Sequence, residues 1–493
     1  MTTLQGRFCF SLTVRRCHQE SCLLYHHPYR PEEEGRWALP YGEYGLDVIA
    51  LIGMLRYRHH HSLAELHQAL RDRGMVIGER TVLNLLARYE ELVSLHLSDR
   101  QRLQKIFAHQ TSAILALDGL RPDVGHEVLW VFRESVSGEI LLARPFLSEC
   151  ETDLAALIAE VQAVLPVPIR GVISDGQRSI RNAVASALPE VPHQLCHFHY
   201  LREAGKPVYE ADRHAKKELK KQVRGVRPIE RTVEKQNDDE AAIIRSYCSA
   251  VRNALTDDGH PPLSAPGLKL HERLTLITAS LERVAQKRGL PTALELLHRL
   301  LTKGLTTTAD LWPDVQAGYR WVHRAAHLLT NAEQRSASEV QQHYQSLLDE
   351  MQPEACASEP HRQMIATFLK VTASYWSGLF PCYDVSDLPR TNNDLEHLFG
   401  STRYHERRCT GRKQASPGLV VRGAVRIIAS VASQCYHFSG PELQPHNLMQ
   451  WRTLHTQVNS RHEARREQYR FRKAPMEYLA ALEEKLYQQT MRP

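Results

Sequence analysis

Ala113-Ile114-Leu115-Ala116-Leu117-Asp118-Gly119 is an apolar run that ends on an aspartate and a glycine, and it decides the fold. Five apolar residues bounded by polar ones have the length of a buried strand. An apolar strand gains nothing structurally from ending on a carboxylate. The pattern returns at Val172-Ile173-Ser174-Asp175-Gly176, so two strands each deliver an acid to a strand tip. A third acid follows in Asn392-Asn393-Asp394-Leu395-Glu396, a polar, helix-like segment. Asp-Gly pairs also make ordinary turns, and Asp123, Asp394 and Glu406 compete with the three acids, Asp394 most directly with Glu396. Three carboxylates converging at one sheet edge repel one another unless divalent cations neutralise them. Asp118, Asp175 and Glu396 are therefore expected to hold two Mg2+ (or Mn2+) ions about 4 Å apart, as in a two-metal phosphoryl-transfer site.

Outward from the first strand, Glu127–Arg133 and Ile140–Phe146 read as two more strands, the second following a Ser137-Gly138 turn. Leu154, Leu157, Ile158, Val161 and Leu165 repeat at helical spacing. Arg170–Ser174 is a fourth strand reaching Asp175, Ile180, Val184 and Leu188 mark another helix, and Gln194–His197 is a short fifth strand. A three-strand meander followed by helix, strand, helix, strand is the order of a ribonuclease H-like mixed sheet of the α/β class. In that order the first and fourth strands are neighbours, which brings Asp118 and Asp175 together. Residues 200–375 read as almost wholly helical, with breaks at Asp257–Gly267 and Gln352–Pro360. That is too long for a loop, so it is a large all-α insertion ahead of the glutamate.

The first 34 residues are irregular and rich in Cys and His. Cys9, Cys17, Cys22 and His26 can close a tetrahedral zinc site, although the spacing is looser than a paired Cys-x-x-Cys and ordinary thiols remain the alternative. Residues 44–95 read as three short helices. Ser62-Leu63-Ala64-Glu65 is a capping-box pattern, Arg73–Gly78 is a tight turn, and Glu79-Arg80-Thr81-Val82 opens the third helix. Helix, glycine turn, helix is the helix-turn-helix pattern, with Arg80, Thr81 and Asn84 as the residues that would read DNA. A plain helical hairpin is the competing reading. The expected domains are a Cys/His-rich segment (1–43), a helix-turn-helix domain (44–105), a first core part (106–225), the helical insertion (226–375), a second core part (376–437) and a basic helical tail (438–493).

The 493 residues carry 62 Lys+Arg against 56 Asp+Glu, a net +6 that hides an asymmetry. From Arg403 onward there are 16 Lys+Arg against 7 Asp+Glu, a net +9. A second basic run spans Arg202–Lys235. Localised positive charge suits a polyanion, and Arg403, Arg407, Arg408, Arg412 and Lys413, just past Glu396, are placed to hold phosphates. A solvated helix face is the alternative for each run. The composition, 42% apolar and 24% charged, is that of a globular chain of several domains. No apolar stretch is long enough for a membrane span, the N-terminus lacks the apolar core of a signal peptide, and ten cysteines are too sparse for a disulfide scaffold. A cytoplasmic protein is expected. No Gly-x-x-x-x-Gly-Lys-Ser/Thr motif is present, so no nucleotide cofactor is expected.

With Asp118-Gly119, Ile173-Ser174-Asp175-Gly176, Cys196-His197-Phe198-His199 and Arg390-Thr391-Asn392-Asn393-Asp394-Leu395-Glu396, the chain resembles prokaryotic DDE transposases of the insertion-sequence type, related to the Mutator-like and hAT group. The resemblance covers about residues 110–435. It implies a ribonuclease H-like catalytic core that cleaves DNA and transfers strands, with element ends and target DNA as partners. It also implies that Cys196 and His199 organise the site or the flanking DNA. Pairing two DNA ends calls for a homodimer or larger assembly, and a bacterial, nucleoid-associated setting follows. A domesticated DNA-binding regulator and a structure-selective nuclease are the competing functions.

Overall fold

The computed structural model describes residues 1–26, 28–29, 32–97, 100–120, 127–146, 150–354, 358–411, 417–445 and 447–490. It is mixed α/β, mostly helical, with a five-stranded mixed sheet. The chain divides into two compact units, one of residues 1–172, 178–191 and 393–493, the other of 173–177 and 192–392. No helix among the described residues is long and apolar enough to cross a membrane.

The first unit opens with short pairings, Thr2–Thr3 with Gly6–Arg7 and Arg15–Arg16 with Pro28–Tyr29. Helices α1 (Leu46–Tyr57), α2 (Leu63–Arg71), α3 (Glu79–Leu97) and α4 (Arg100–Ile106) follow. The capping box forms as its sequence requires. Ser62 Oγ accepts from the Glu65 backbone N–H at 3.3 Å, and Glu65 Oε2 accepts from the Ser62 N–H at 2.6 Å. Gly74 sits at φ +78 in the turn before α3, where an L side chain would be strained. Leu66 and Leu70 of α2 and Val82, Leu86 and Tyr89 of α3 are buried in one core with Ile49 and Ile52 of α1. Each such aliphatic side chain contributes about 2 kcal/mol through burial.

The sheet strands are β1 (Ala113–Leu120), β2 (Val128–Glu134), β3 (Ile140–Phe146), β4 (Ile169–Ser174) and β5 (His193–Leu195), in spatial order β3-β2-β1-β4-β5. The meander β1-β2-β3 is antiparallel, and β1 lies beside β4, as the sequence order predicts. Glu134 secures the β2–β3 turn, its carboxylate accepting from the Ser137 N–H at 2.6 Å and the Ser137 hydroxyl at 2.7 Å. Between β3 and β5 come α5 (Glu151–Val164) and α6 (Arg178–Ala187). Leu115 and Leu117 of β1 and Trp130 and Phe132 of β2 face Leu154, Leu157 and Ile158 of α5 and Ile180, Ala183 and Val184 of α6 in a second core. Because side chains alternate along a strand, Ala116 and Asp118 take the opposite face.

Two strand boundaries correct the sequence reading. Strand β1 does not stop before Asp118 but runs on to Leu120, with Asp118 opposite Val131 and Gly119 opposite Trp130. Gly119 is there for close approach rather than for a turn, because a Cβ would lie 2.8 Å from Val128 Cγ1 and 3.2 Å from the Trp130 ring. The fifth strand ends at Leu195, so Cys196 is the N-cap of the following helix and His199 is helical.

The second unit carries α7 (His197–Ala204), α8 (Lys206–Gln222), α9 (Val226–Thr232), α10 (Asp239–Thr256), α11 (Pro266–Arg288), α12 (Thr292–Thr307), α13 (Trp312–Thr330), α14 (Ala337–Glu354) and α15 (Glu359–Tyr375). This is the all-helical run expected between the second acid and the glutamate. Buried Asp212 of α8 accepts from the N–H groups of Gly267 and Leu268, both at 2.8 Å, and so satisfies the otherwise orphaned first turn of α11. Tyr200, Tyr344 and Thr372 join α7, α14 and α15 through hydroxyl contacts of 2.7 Å.

The first unit resumes with α16 (Asn393–Thr410), α17 (Pro417–Cys435), α18 (Leu448–Lys473) and α19 (Pro475–Thr490). Helix α17 packs against α3, β3 and β2, and its Ala429 and Ala432 enter the core of the N-terminal helices.

Candidate active site

Asp118 projects, half-buried, from the face of β1 opposite the α5 and α6 core. Its Oδ1 accepts from the Gly119 N–H at 2.7 Å. Helix α16 packs against β1, and its first turn holds Asp394, Leu395 and Glu396. Asp394 is 75% exposed and pairs with Arg133 of β2 at 3.5 Å. Arg133 lies directly opposite Ala116 in the ladder, and opposed residues share a face. The ion pair therefore sets the N-terminal turn of α16 over the sheet face that carries Asp118. Glu396, half-buried, lies within that turn, while the competitor Asp394 is engaged with Arg133. Of the other competitors, Glu406 is buried nearly three turns further along α16, and Asp123 lies outside the described residues.

Asp175 belongs to the second unit and follows β4 immediately. Its Oδ1 accepts from the Gln177 N–H at 2.9 Å, and its carbonyl accepts from the Tyr375 hydroxyl at 3.1 Å. Here the Asp-Gly pair does make a turn, with Gly176 at φ +87. A Cβ on Gly176 would stand 2.7 Å from the Tyr375 ring. The same unit holds the Cys-His-Phe-His stretch. Cys196 is fully buried, and its Sγ accepts from the Asn392 N–H at 3.3 Å. The His197 N–H donates to the Arg390 carbonyl at 3.0 Å. Direct DNA contact is thus unavailable to Cys196 as placed; it ties the start of α7 to the segment that leads into Glu396. His197 is buried against the Leu379 carbonyl at 2.7 Å, and burial pushes its imidazole down to about 4. His199 is half-buried on the same helix.

The carboxylates are hard oxygen donors of the kind Mg2+ requires. Among the described residues, however, no three His, Cys, Asp or Glu side chains form a group that could hold a metal ion. The same holds for Cys9, Cys17, Cys22 and His26. Cys17 and His26 are joined through the backbone, the His26 N–H donating to the Cys17 carbonyl at 2.9 Å, while Cys9 is exposed and Cys22 half-buried.

The candidate DNA contacts divide by exposure. Arg80 and Asn84 are exposed at the start of α3, with Thr81 half-buried beside them. Arg403, Arg407 and Arg408 are exposed along α16, and Arg408 reaches Glu65 at 4.0 Å. Arg412 and Lys413 lie outside the described residues.

What anchors α16 has no signature in local spacing. Its second half carries His405, Glu406 and Cys409 into a buried polar cluster. Glu90 of α3 takes Arg422 Nε at 2.6 Å, Arg426 Nε at 3.1 Å and the Tyr57 hydroxyl at 2.8 Å. Arg426 also reaches Glu406 at 3.5 Å. Burial alone would raise the Glu90 carboxyl, but Arg422 and Arg426 outweigh it and hold it below its usual range. The residues sit on α1, α3, α16 and α17, far apart in sequence, so no local spacing could have shown them.

His405 stacks on Tyr57 and lies 2.9 Å from His60 Nδ1. Burial, aided by Arg56 and His60, pushes its imidazole down to about 3. The folded chain thus holds this ring neutral, whereas an unfolded histidine protonates near pH ~6.5. The stability this contributes is present above that pH and is lost as pH falls toward 3. Urea unfolding followed across this window should show stability falling with acidity. His405→Gln should reduce the proton uptake on unfolding by about one, and an unchanged slope would contradict the buried neutral ring.

No protein-family model matches this chain, and a search of curated proteins finds no significant match.

Proposed function

We propose that the protein is a DNA transposase that binds element ends and catalyses DNA cleavage and strand transfer through Asp118, Asp175 and Glu396. The observation that carries this reading is the Asp394–Arg133 pair, which lays the first turn of α16 over the sheet face bearing Asp118. The order β2-β1-β4 supports it further, since β4 leads directly into Asp175. In this reading the sheet is a ribonuclease H-like core, and α2 with α3 is a helix-turn-helix reader. Asp118, Asp175 and Glu396 would then be the ligands of Mg2+ or Mn2+, and the metal would supply Lewis-acid polarisation at the scissile phosphate. The chain's own residues do the rest. Asp118 faces the phosphodiester, Arg403 and Arg407 hold flanking phosphates, and Arg80 and Asn84 meet base edges.

The experiment is duplex binding against salt, together with Mg2+-dependent cleavage of plasmid DNA carrying the sequences that flank this gene. Arg403→Ala/Arg407→Ala should make the slope of log affinity against log salt shallower by about 2, one phosphate contact per arginine. An unchanged slope would remove α16 from the DNA interface, and binding without cleavage would favour a regulator.

A further inference from the structure

We propose that the C-terminal helical arm, α19 with the distal part of α18, is a self-association surface that pairs with the same arm of a second copy of this chain. From Asn459 to Gln488 not one residue is buried. The arm nevertheless carries large apolar side chains: Tyr469 and Phe471 on α18, and Met476, Leu479, Leu482 and Leu486 on α19, each at least 43% exposed. The four on α19 recur at intervals of three and four, one stripe of a helix. A helix of 16 residues with its apolar stripe in water is marginal by itself, so the stripe calls for a cover.

Charge selects the cover. Residues 463–473 of α18 hold five basic side chains against two acidic ones, a net +3. Helix α19 holds Glu477, Glu483 and Glu484 against Lys485, a net −2. A nucleic acid would be drawn to the first helix, repelled by the second, and would leave the leucine stripe in water. A second copy answers all three features at once. A twofold axis lays the acidic helix of one arm on the basic helix of the other, twice over, with the apolar stripes meeting between them as in a four-helix bundle. The inference stands on these residues and does not depend on the transposase reading.

Sedimentation equilibrium of the full chain without DNA tests it. The wild-type protein should be dimeric at micromolar concentration. Leu479→Glu/Leu482→Glu should weaken the dimer by about 100-fold or more, since two buried leucines are replaced by charges. Its main thermal transition should be unchanged, because neither leucine is buried within its own chain. Glu483→Lys/Glu484→Lys should also weaken the dimer, most strongly at low salt. A wild-type monomer, or a leucine variant that dimerises as tightly as wild type, would overturn the proposal.

Discussion

Asp118→Asn is expected to reduce DNA cleavage and joining by about 10³-fold or more, the scale of several kcal/mol of lost transition-state stabilisation. The fold should survive the change. The Asp118 Oδ1 that accepts from the Gly119 N–H can be replaced by an amide oxygen, so β1 keeps its register and Gly119 its place under Trp130. Duplex affinity should persist, because the residues proposed to contact DNA lie on α16 and α3. Glu396→Gln should act the same way. Asp394→Asn should be far milder, since that exposed carboxylate is spent on Arg133 and a surface pair contributes about 1 kcal/mol or less. Cleavage and joining assays on the three variants, with melting curves as a control for folding, separate a reacting carboxylate from a positioning one. If Asp394→Asn were the inactive variant and Glu396→Gln the active one, the acid on α16 would have to be reassigned.

The largest expected loss of stability is at Arg422. Its guanidinium, buried along with Glu90 and Glu91, donates to Glu90 Oε2 at 2.6 Å and to the Ala87 carbonyl at 2.8 Å. Arg422→Ala leaves two buried carboxylates to Arg426, Tyr57, Arg88 and His455 among the described residues. Breaking one partner from a buried pair costs about 3–5 kcal/mol, and denaturant unfolding of the full chain should show a loss of that size. Arg422→Met/Glu90→Gln, which removes both charges, should recover part of it. A loss below about 1 kcal/mol in the single variant, the scale of a surface pair, would mean that solvent reaches the cluster. The cluster also bears on the site, because Glu406 and His405 belong to the helix that carries Glu396. Loosening it should lower activity even though no member is proposed to touch DNA.

Much of this was legible in the chain. The capping box at Ser62–Glu65, the meander, the β1–β4 neighbourhood and the long helical run all follow from local periodicity and turn chemistry. The end of β1 was read too early, at Leu117, because the partner that Gly119 packs against, Trp130, is known only once β2 is paired. Gly176, with the same dipeptide, is a turn. Cys196 was read at the end of the fifth strand because that strand is short and the helix behind it begins without a side-chain cap. The pairing of Asp394 with Arg133, more than 250 residues upstream, carries no local signal. The Glu90 cluster was invisible for the same reason: each ion pair joins helices whose spacing in sequence carries no periodic signal.

In the proposed reading this chain breaks and rejoins DNA with Asp118, Asp175 and Glu396. The decisive experiment is to sequence the DNA products from wild-type protein and Asp118→Asn, each incubated with Mg2+, the gene's flanking DNA and a target plasmid. The prediction is that wild type yields 3′ ends of the flanking DNA covalently joined to target and that Asp118→Asn yields none while still binding. Joined products from Asp118→Asn at wild-type levels would contradict the assignment of the site, and cleavage by wild type without joining would make the protein a nuclease instead.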